Sequence, residues 1–169
     1  MKNLKKKFLF ILTAIVLAAA AIWAFFYFGN REERLLRAMV SELETMVAKR
    51  PGKSNMLSLL DAATPERVFA EKVTISSDQP KLEREFTLKE LSQLLITMKK
   101  SCASAALDVE IQEISVDSRS AEITGDAVFS GSSSRAGNFR EVRDIRLLCT
   151  KTDGKWKIST VKIETVIKK

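Results

Sequence analysis

Histidine is missing from all 169 residues of the chain. Its absence excludes zinc sites with histidine ligands, serine–histidine and cysteine–histidine nucleophile pairs, and histidine general bases. The two cysteines, Cys102 and Cys149, cannot make a structural zinc site alone. We therefore predict no metal site and no cofactor, and the sequence singles out no catalytic residue.

Glycine is scarce, with six residues, and one of them begins a stretch that could belong to a nucleotide-binding motif. Gly52-Lys53-Ser54 matches the end of a phosphate-binding loop. That motif requires another glycine five residues before Gly52, where Val47 stands, and a preceding strand where the pattern predicts a helix. We reject a nucleotide-binding loop.

Charge is absent from one long apolar run, FLFILTAIVLAAAAIWAFFYF, which occupies Phe8–Phe28. Its 21 residues match the roughly 20 that a helix needs to cross a bilayer. Trp23 and Tyr27 fall in its last turns, where amphipathic rings suit the headgroup level, and the lysines before it favour a cytoplasmic N-terminus. We predict a basic cytoplasmic tail over 1–7, a transmembrane anchor over 8–28 and an extracytoplasmic domain over 31–169. The protein would be a single-pass protein of the cytoplasmic membrane, with its domain in a periplasm or outside the cell.

A cleaved signal peptide is the alternative to this anchor. Signal peptides have an apolar core of about 7–15 residues and a small-residue cleavage site, which Ala18–Ala21 would supply. The apolar run continues beyond that point through Phe26, so cleavage would leave an apolar N-terminus exposed. This favours the uncleaved anchor.

Positive charge is concentrated near the C-terminus. The formal net charge is +7, and residues 139–169 carry nine basic and four acidic side chains. Such a face attracts anionic lipid, an acidic partner or nucleic acid. Only Phe139 and Trp156 provide aromatic rings there, so we exclude nucleic acid. A solvated face is the simpler interpretation, and a lipid-binding face would predict liposome binding that falls steeply with salt.

The remaining pattern predicts helices followed by strands. Apolar residues recur at helical spacing over 31–49, at Leu36, Met39, Leu43 and Met46. Short helices are predicted over 55–63 and from Thr64-Pro65, and a brief hairpin over 73–86 follows. Thr87 and Glu90 match a capping box that opens a helix ending near Lys100.

After Ser104 the apolar period changes from 3.6 to 2, which predicts four long strands. The apolar phase flips at Gln112-Glu113, as a β-bulge would produce, and Asp153-Gly154 suits a tight hairpin turn. The result is an α+β domain with helices packed on one face of a curved antiparallel sheet. Cys102 and Cys149 then fall at opposite ends of the sheet, on the order of 30 Å apart, so we predict two free, buried thiols.

Three segments resemble the NTF2-like (SnoaL-like) superfamily of cone-shaped α+β domains. They are the hairpin VTISSDQPKLEREF leading into the capped helix TLKELSQLL, the bent strand LDVEIQEISVD, and the closing DGKWKI hairpin. The resemblance covers 31–169 and implies a pocket between the concave sheet face and the helices. Members of the superfamily use that pocket as isomerases, dehydratases or cyclases, or to bind ligands and proteins, often as dimers through the sheet.

The resemblance implies a non-catalytic module more readily than an enzyme. Known enzymes of the superfamily place Asp, His or Tyr in the pocket, whereas this chain has no histidine and its one tyrosine lies in the predicted anchor. We predict a module that binds a partner protein, a second copy through the sheet, or a small ligand. A subunit of an envelope assembly, with the layout of the VirB8-like subunits of type IV secretion systems, is one form of this hypothesis.

The alternative is a small membrane-tethered acid–base enzyme of the isomerase or dehydratase type. Such an enzyme needs a buried carboxylate with a raised pKa. Asp108 and Asp126 are the strand carboxylates to consider, but alternation places both opposite the apolar face of their strands. Exposure to solvent is therefore the interpretation we favour for both.

Overall fold

The computed structural model describes residues 31–49, 64–135 and 137–165. The chain divides into two compact units, Met1–Leu35 and Leu36–Lys169; in the first, the described residues 31–35 are helical. The predicted tail, the predicted anchor over 8–28 and the predicted helix over 55–63 lie outside the described residues. Among the helices that are described, none is long and apolar enough to span a membrane.

The described part contains two α-helices, a short 3-10 turn and six strands. Helix α1 covers 31–47, the 3-10 turn is Pro65–Arg67, and helix α2 is Leu88–Ser101. The strands are β1 (Phe69–Asp78), β2 (Lys81–Thr87), β3 (Cys102–Asp117), β4 (Ser120–Ser133), β5 (Gly137–Thr152) and β6 (Lys155–Thr165).

The short helix predicted from Thr64-Pro65 is found as the 3-10 turn, which has Thr64 at its N-cap and stops after three residues. The backbone N–H of Val68 donates to the carbonyl of Pro65, and Phe69 then begins β1. The neighbouring β6 decides this outcome, since Ile158 N donates to Val68 O and draws the chain into the sheet.

The six strands form one sheet in the order β2-β1-β6-β5-β4-β3. Neighbouring strands are antiparallel except β1 and β6, which are parallel. The α+β class and the curved, largely antiparallel sheet are confirmed, and the parallel pair is the departure from the prediction. It arises because α2 carries the chain from β2 at one edge of the sheet to β3 at the other.

The predicted bulge in β3 is confirmed. Ile111 pairs with Gly125 and Glu113 with Thr124, so Gln112 is the extra residue. A Cβ on Gly125 would lie 2.3 Å from the carbonyl oxygen of Glu110, which only glycine avoids. Such an insertion bends the strand and increases its twist, which curves the sheet.

Both ends of α2 are fixed by side chains. At its N-terminus the predicted capping box is confirmed: Glu90 N donates to Thr87 Oγ1 at 3.3 Å, and Thr87 N donates to Glu90 Oε2 at 2.9 Å. At its C-terminus Lys49 Nζ donates to the carbonyls of Lys99 and Cys102, at 2.5 and 2.6 Å. A cation at this end also complements the helix dipole.

The predicted turn between the last two strands is confirmed as well. Asp153 and Gly154 have φ angles of 50° and 76°, which the mirror-image turns of tight hairpins require. β5 and β6 pair closely from this turn outward, beginning with Thr152 and Lys155. The hairpin therefore places Trp156 and Ile158 on the same sheet face as the buried residues of β4 and β5.

Candidate functional site

The sheet has an inner face, which packs on α1 and α2, and an outer face on its opposite side. Directly paired residues of neighbouring strands point to the same face, and successive residues of one strand alternate. The pairing of Ile123 with Leu147, both buried in the core with α1, identifies the inner face. The register then assigns every other strand residue to one face or the other.

One half of the inner face is filled completely, and we call it the closed half. Its residues are Ala121, Ile123, Leu147, Cys149, Trp156 and Ile158, all at most 6% exposed. The stripe predicted on α1 packs over them: Leu36, Met39, Leu43 and Met46 are all buried in the same cluster. Burying an isoleucine or leucine side chain contributes roughly 1.5–3 kcal/mol, so the closed half contributes substantially to stability.

The other half of the inner face is only partly covered, and we call it the open half. Its larger side chains include Ile111, Phe129, Phe139, Arg143, Ile145 and Ile163, all of which are half-buried, and the small Ala127 lies buried among them. The rings of Phe129 and Phe139 lie 5.1 Å apart, centroid to centroid. Phe139 lies over Gly131, where a Cβ would come within 2.8 Å of its ring. The open half is thus an apolar, aromatic surface with one cation in it.

That cation is the guanidinium of Arg143, which faces inward because Arg143 pairs with the buried Ala127. Its side chain is 29% exposed. Nη1 donates to Thr165 Oγ1 at 3.2 Å, and Nη2 lies 3.7 Å from Glu141 Oε2, beyond hydrogen-bond distance. A guanidinium carries five N–H donors, so most of its donors have no acceptor among the described residues.

The carboxylates considered from sequence do not line the inner face. Asp108 is exposed on the outer face, opposite Val128. Asp126 also lies on the outer face, where it accepts a hydrogen bond from Gln112 Nε2 at 3.0 Å. Glu141 is the carboxylate that shares a face with Arg143, and its side chain is 62% exposed. Neither predicted carboxylate is therefore placed for proton transfer in a pocket.

The outer face carries a feature that the sequence did not indicate, a row of four acidic residues paired directly across β3, β4, β5 and β6. The row is Glu110, Asp126, Asp144 and Glu164. Desolvation, together with the neighbouring charges of Asp126 and Glu164, raises the pKa of Asp144. Single-sequence reasoning missed the row because its members come from four strands whose register depends on two bulges. Among the described residues, no group of three or more acidic or cysteine side chains is arranged to hold a metal ion.

Two shallow clefts lie on the described surface. One, of about 320 Å³, is lined by Ser41, Glu42, Thr45, Met46 and Arg67. Arg67 Nη2 lies 2.6 Å from Glu42 Oε1 there, although the pair is not aligned as a hydrogen bond. The other, of about 350 Å³, is lined by Ser76, Ser77, Asp78, Lys81, Leu82, Glu83, Lys162, Ile163 and Glu164. Asp78 accepts a hydrogen bond from Thr165 N at 2.9 Å, which lowers the pKa of its carboxyl.

Both cysteines are free and buried, as predicted. Cys102 pairs with Ser133 and Cys149 with Ala121, so they lie twelve residues apart along β4. At about 3.3 Å per residue this separation is about 40 Å, far beyond the reach of a disulfide. Burial raises the pKa of the Cys149 thiol to about 12, so at neutral pH it is protonated and a poor nucleophile.

No family model matches the sequence, and no curated protein matches it. Solved structures do match the fold. Kfla4162 of Kribbella flavida superposes with a TM-score of 0.69 at 12% identity, covering 83% of this chain and 95% of that protein. An NTF2-like superfamily protein of Salmonella enterica gives a TM-score of 0.60 at 13% identity, covering 81% and 94%. A ketosteroid isomerase-like protein of Erwinia carotovora gives 0.58 at 11% identity, covering 82% and 99%.

These similarities extend over most of both chains, and they agree with the element order and the bent sheet described above. Identities of 11–13% establish a shared fold and carry no activity with them. The resemblance noted in the sequence is confirmed at this level: the chain has the NTF2-like fold.

Proposed function

We propose that this protein is a membrane-anchored, non-catalytic binding module whose NTF2-like domain lies outside the cytoplasm. The observation that carries the proposal is the division of the inner face. The closed half is packed solid by α1, while the open half keeps apolar side chains partly exposed and holds no buried carboxylate among the described residues. Such a surface suits a small ligand or a segment of a partner protein.

The enzyme alternative has less support from the same surface. An acid–base enzyme needs a general base whose burial brings its pKa near the working pH. Asp108 and Asp126 face outward, and Glu141 is 62% exposed. The Erwinia protein is a ketosteroid isomerase-like protein, and its similarity at 11% identity supports a shared fold rather than a shared reaction.

The anchor is supported by the sequence, through the apolar run Phe8–Phe28 and the lysines that precede it. A fusion of alkaline phosphatase after Lys169 tests it, because that enzyme is active only where disulfides form. We expect an active fusion that stays with the membrane after alkaline washing. A soluble product that lacks the apolar run would show that a signal peptide is cleaved instead.

Native mass spectrometry of the full chain, released from the membranes of the cells that express it, tests the binding role. We expect a non-covalent ligand, a stoichiometric partner or a second copy. A subunit of an envelope assembly would appear within a large complex. An unliganded monomer under conditions that preserve known membrane complexes would contradict the proposal.

Self-association through the outer face is one form of this proposal. Val142 is 40% exposed there, beside the half-buried Val128, with which it pairs. The acidic row lies next to these valines, so a contact centred on the row would bring like charges together. A dimer that forms through this face should therefore make its contacts away from the acidic row. If it includes the row, the two copies should associate more tightly when the acidic side chains are replaced by neutral ones.

A further inference from the structure

The open half contains a charged group that its apolar surroundings do not explain. Arg143 is the cation that the strand register places in the open half, between Ala127 of β4 and Thr165 of β6. The register also turns Arg84 of β2 and Lys151 of β5 inward, but each of these lies over an aromatic ring, that of Phe86 and of Trp156. The stem of an arginine packs readily on apolar surface, but a guanidinium that is largely shielded from water usually has its N–H donors used. Its described contacts use few of them, since Thr165 accepts one hydrogen bond and Glu141 lies at 3.7 Å.

We propose that Arg143 binds the anionic headgroup of a small amphipathic ligand whose apolar body lies on the open half. This inference rests on the proposed binding function and names the ligand class. A planar guanidinium pairs with a carboxylate or a phosphate through two parallel N–H donors, and such charge-assisted bonds are stronger where water is excluded. At 29% exposure the side chain is shielded from much of the solvent and still reachable.

The surroundings of Arg143 supply a place for the apolar body. Ile145 lies two residues along β5, about 7 Å away, and pairs with Ile163 of β6. In the other direction Phe129 and Phe139 form a tilted aromatic pair. A ligand whose apolar part is one ring or a short chain would cover one of these groups while its anion stays at the guanidinium.

Glu141 sets the balance of charge at this site. It lies two residues before Arg143 on the same strand face, and 3.7 Å separates their closest charged atoms. An arriving anion must compete with this exposed carboxylate. Neutralising Glu141 should therefore strengthen anion binding, whereas neutralising Arg143 should weaken it.

The strand also provides a matched control. Arg140 lies three residues before Arg143 on β5, and alternation turns it to the outer face, where it is exposed. Arg143→Gln and Arg140→Gln make the same chemical change and the same change in net charge. A general electrostatic effect would lower the affinity for an anion equally in both variants. A site on the inner face would lower it in Arg143→Gln alone.

The experiment uses the full chain in nanodiscs, with empty nanodiscs as the blank. Three soluble probes share one apolar body: 3-phenylpropanoate, 3-phenylpropylphosphonate and the neutral 3-phenylpropan-1-ol. Binding is measured by calorimetry, and its location by methyl spectra of isoleucine. We expect shifts at Ile145 and Ile163, with Ile123 and Ile158 of the closed half unchanged.

We expect at least one anionic probe to bind, and Arg143→Gln to weaken it by about tenfold or more. Arg140→Gln should leave the affinity unchanged, and Glu141→Gln should raise it. The stronger of the two anionic probes identifies the headgroup as a carboxylate or a phosphonate-like group. These results together would support the site.

Two results would overturn it. If the alcohol bound as tightly as the anions, or Arg143→Gln and Arg140→Gln behaved alike, Arg143 would have no role in recognition. If no probe bound, the ligand class would be wrong. In either case the native mass spectrum still decides whether the chain is a binding module, so the two proposals fail separately. Far-ultraviolet circular dichroism of each variant checks that the fold is intact.

Discussion

The two halves of the inner face are built on the same strands and differ in what covers them. The closed half has isoleucine, leucine and tryptophan under α1, all buried, with Ile123 and Ile158 fully inaccessible. The open half uses residues of similar type, such as Ile145 and Ile163, and leaves them half-buried. Composition alone therefore does not tell the buried half of this sheet from the half-buried one. The position of α1 decides which half is buried.

The outer face repeats the contrast in its charges. Behind the closed half, Arg146 Nη1 lies 3.2 Å from Glu122 Oε1, so opposite charges meet across β4 and β5. Behind the open half lies the acidic row, where like charges meet across four strands. Cross-strand pairs of opposite charge stabilise a sheet, and like charges directly opposite destabilise it. Compared with the closed half, the open half is therefore stabilised less by burial on its inner face and less by charge pairing on its outer face.

The largest expected effect comes from removing matched isoleucines in the two halves. Ile123→Ala should lower the free energy of unfolding by about 2–5 kcal/mol, because it leaves a cavity in a fully buried cluster. Ile145→Ala removes the same atoms from a half-buried position, so we expect less than about half of that loss. Urea unfolding followed by circular dichroism measures both, and equal losses would break the distinction between the halves.

The next largest effect is expected at Gly125, which lies at the boundary between the two halves and pairs with Ile111 beside the bulge. Gly125→Ala would place a Cβ 2.3 Å from the carbonyl oxygen of Glu110, and both are backbone positions held by the β3–β4 pairing. Overpacking of this kind costs about 1–3 kcal/mol, and we expect the upper end. Gly154→Ala is the comparison, since its Cβ would meet nothing and only its φ of 76° opposes the change. A smaller loss for Gly125→Ala than for Gly154→Ala would show that the bulge relaxes easily.

A comparable loss is expected where Lys49, which follows α1, holds the C-terminus of α2. Lys49→Met keeps the apolar stem and removes the donor to the carbonyls of Lys99 and Cys102. Hydrogen bonds from charged groups contribute about 1.5–3 kcal/mol, so a loss in that range is expected in urea unfolding. Lys89→Met, on an exposed position of α2, is the control and should change little. Because Lys49 acts on the helix that covers the inner face, its loss should also speed hydrogen exchange near Ala105, with which Lys49 pairs.

Much of the fold could be predicted from particular residues. Thr87 with Glu90, Asp153-Gly154, and the phase flip at Gln112 each specify local geometry, and each is found where expected. Local rules failed where partners distant in sequence decide the outcome. The first strand of the hairpin predicted over 73–86 begins earlier, at Phe69, because the residue before it is hydrogen-bonded to Ile158 of β6.

The candidate site was harder to predict than the fold, for the same reason. Alternation within β3 and β4 was enough to place Asp108 and Asp126 opposite the apolar side of their strands. It could not place Arg143, because Phe139–Thr150 mixes charged and apolar residues without a clear period. Only its pairing with Ala127 turns Arg143 inward. The acidic row likewise depends on registers that the bulges at Gln112 and Ser159 set.

The smallest expected effect tests the acidic row, and its sign is opposite to that of an ordinary stabilising carboxylate. The pKa of Asp144 is raised in the folded state by desolvation and by Asp126 and Glu164. Its favourable contribution is therefore fully present below the unfolded carboxyl pKa of about 3.9, and it is lost as the pH rises through the folded pKa above that value. At neutral pH the ionised Asp144 destabilises the face behind the open half.

Asp144→Asn removes that charge, so the urea midpoint should rise at pH 7 and should match the unmodified chain near pH 3. Asp108→Asn is the control, because Asp108 is exposed and pairs with Val128 rather than with another carboxylate. Its effect on the urea midpoint should be small at pH 7. If Asp144→Asn lowered the midpoint at neutral pH, nearby cations such as Arg146 and Lys162, which lie two residues from Asp144 and from Glu164, would already compensate the row. The outer face would then be electrostatically balanced behind both halves, and the contrast between them would belong to the inner face alone.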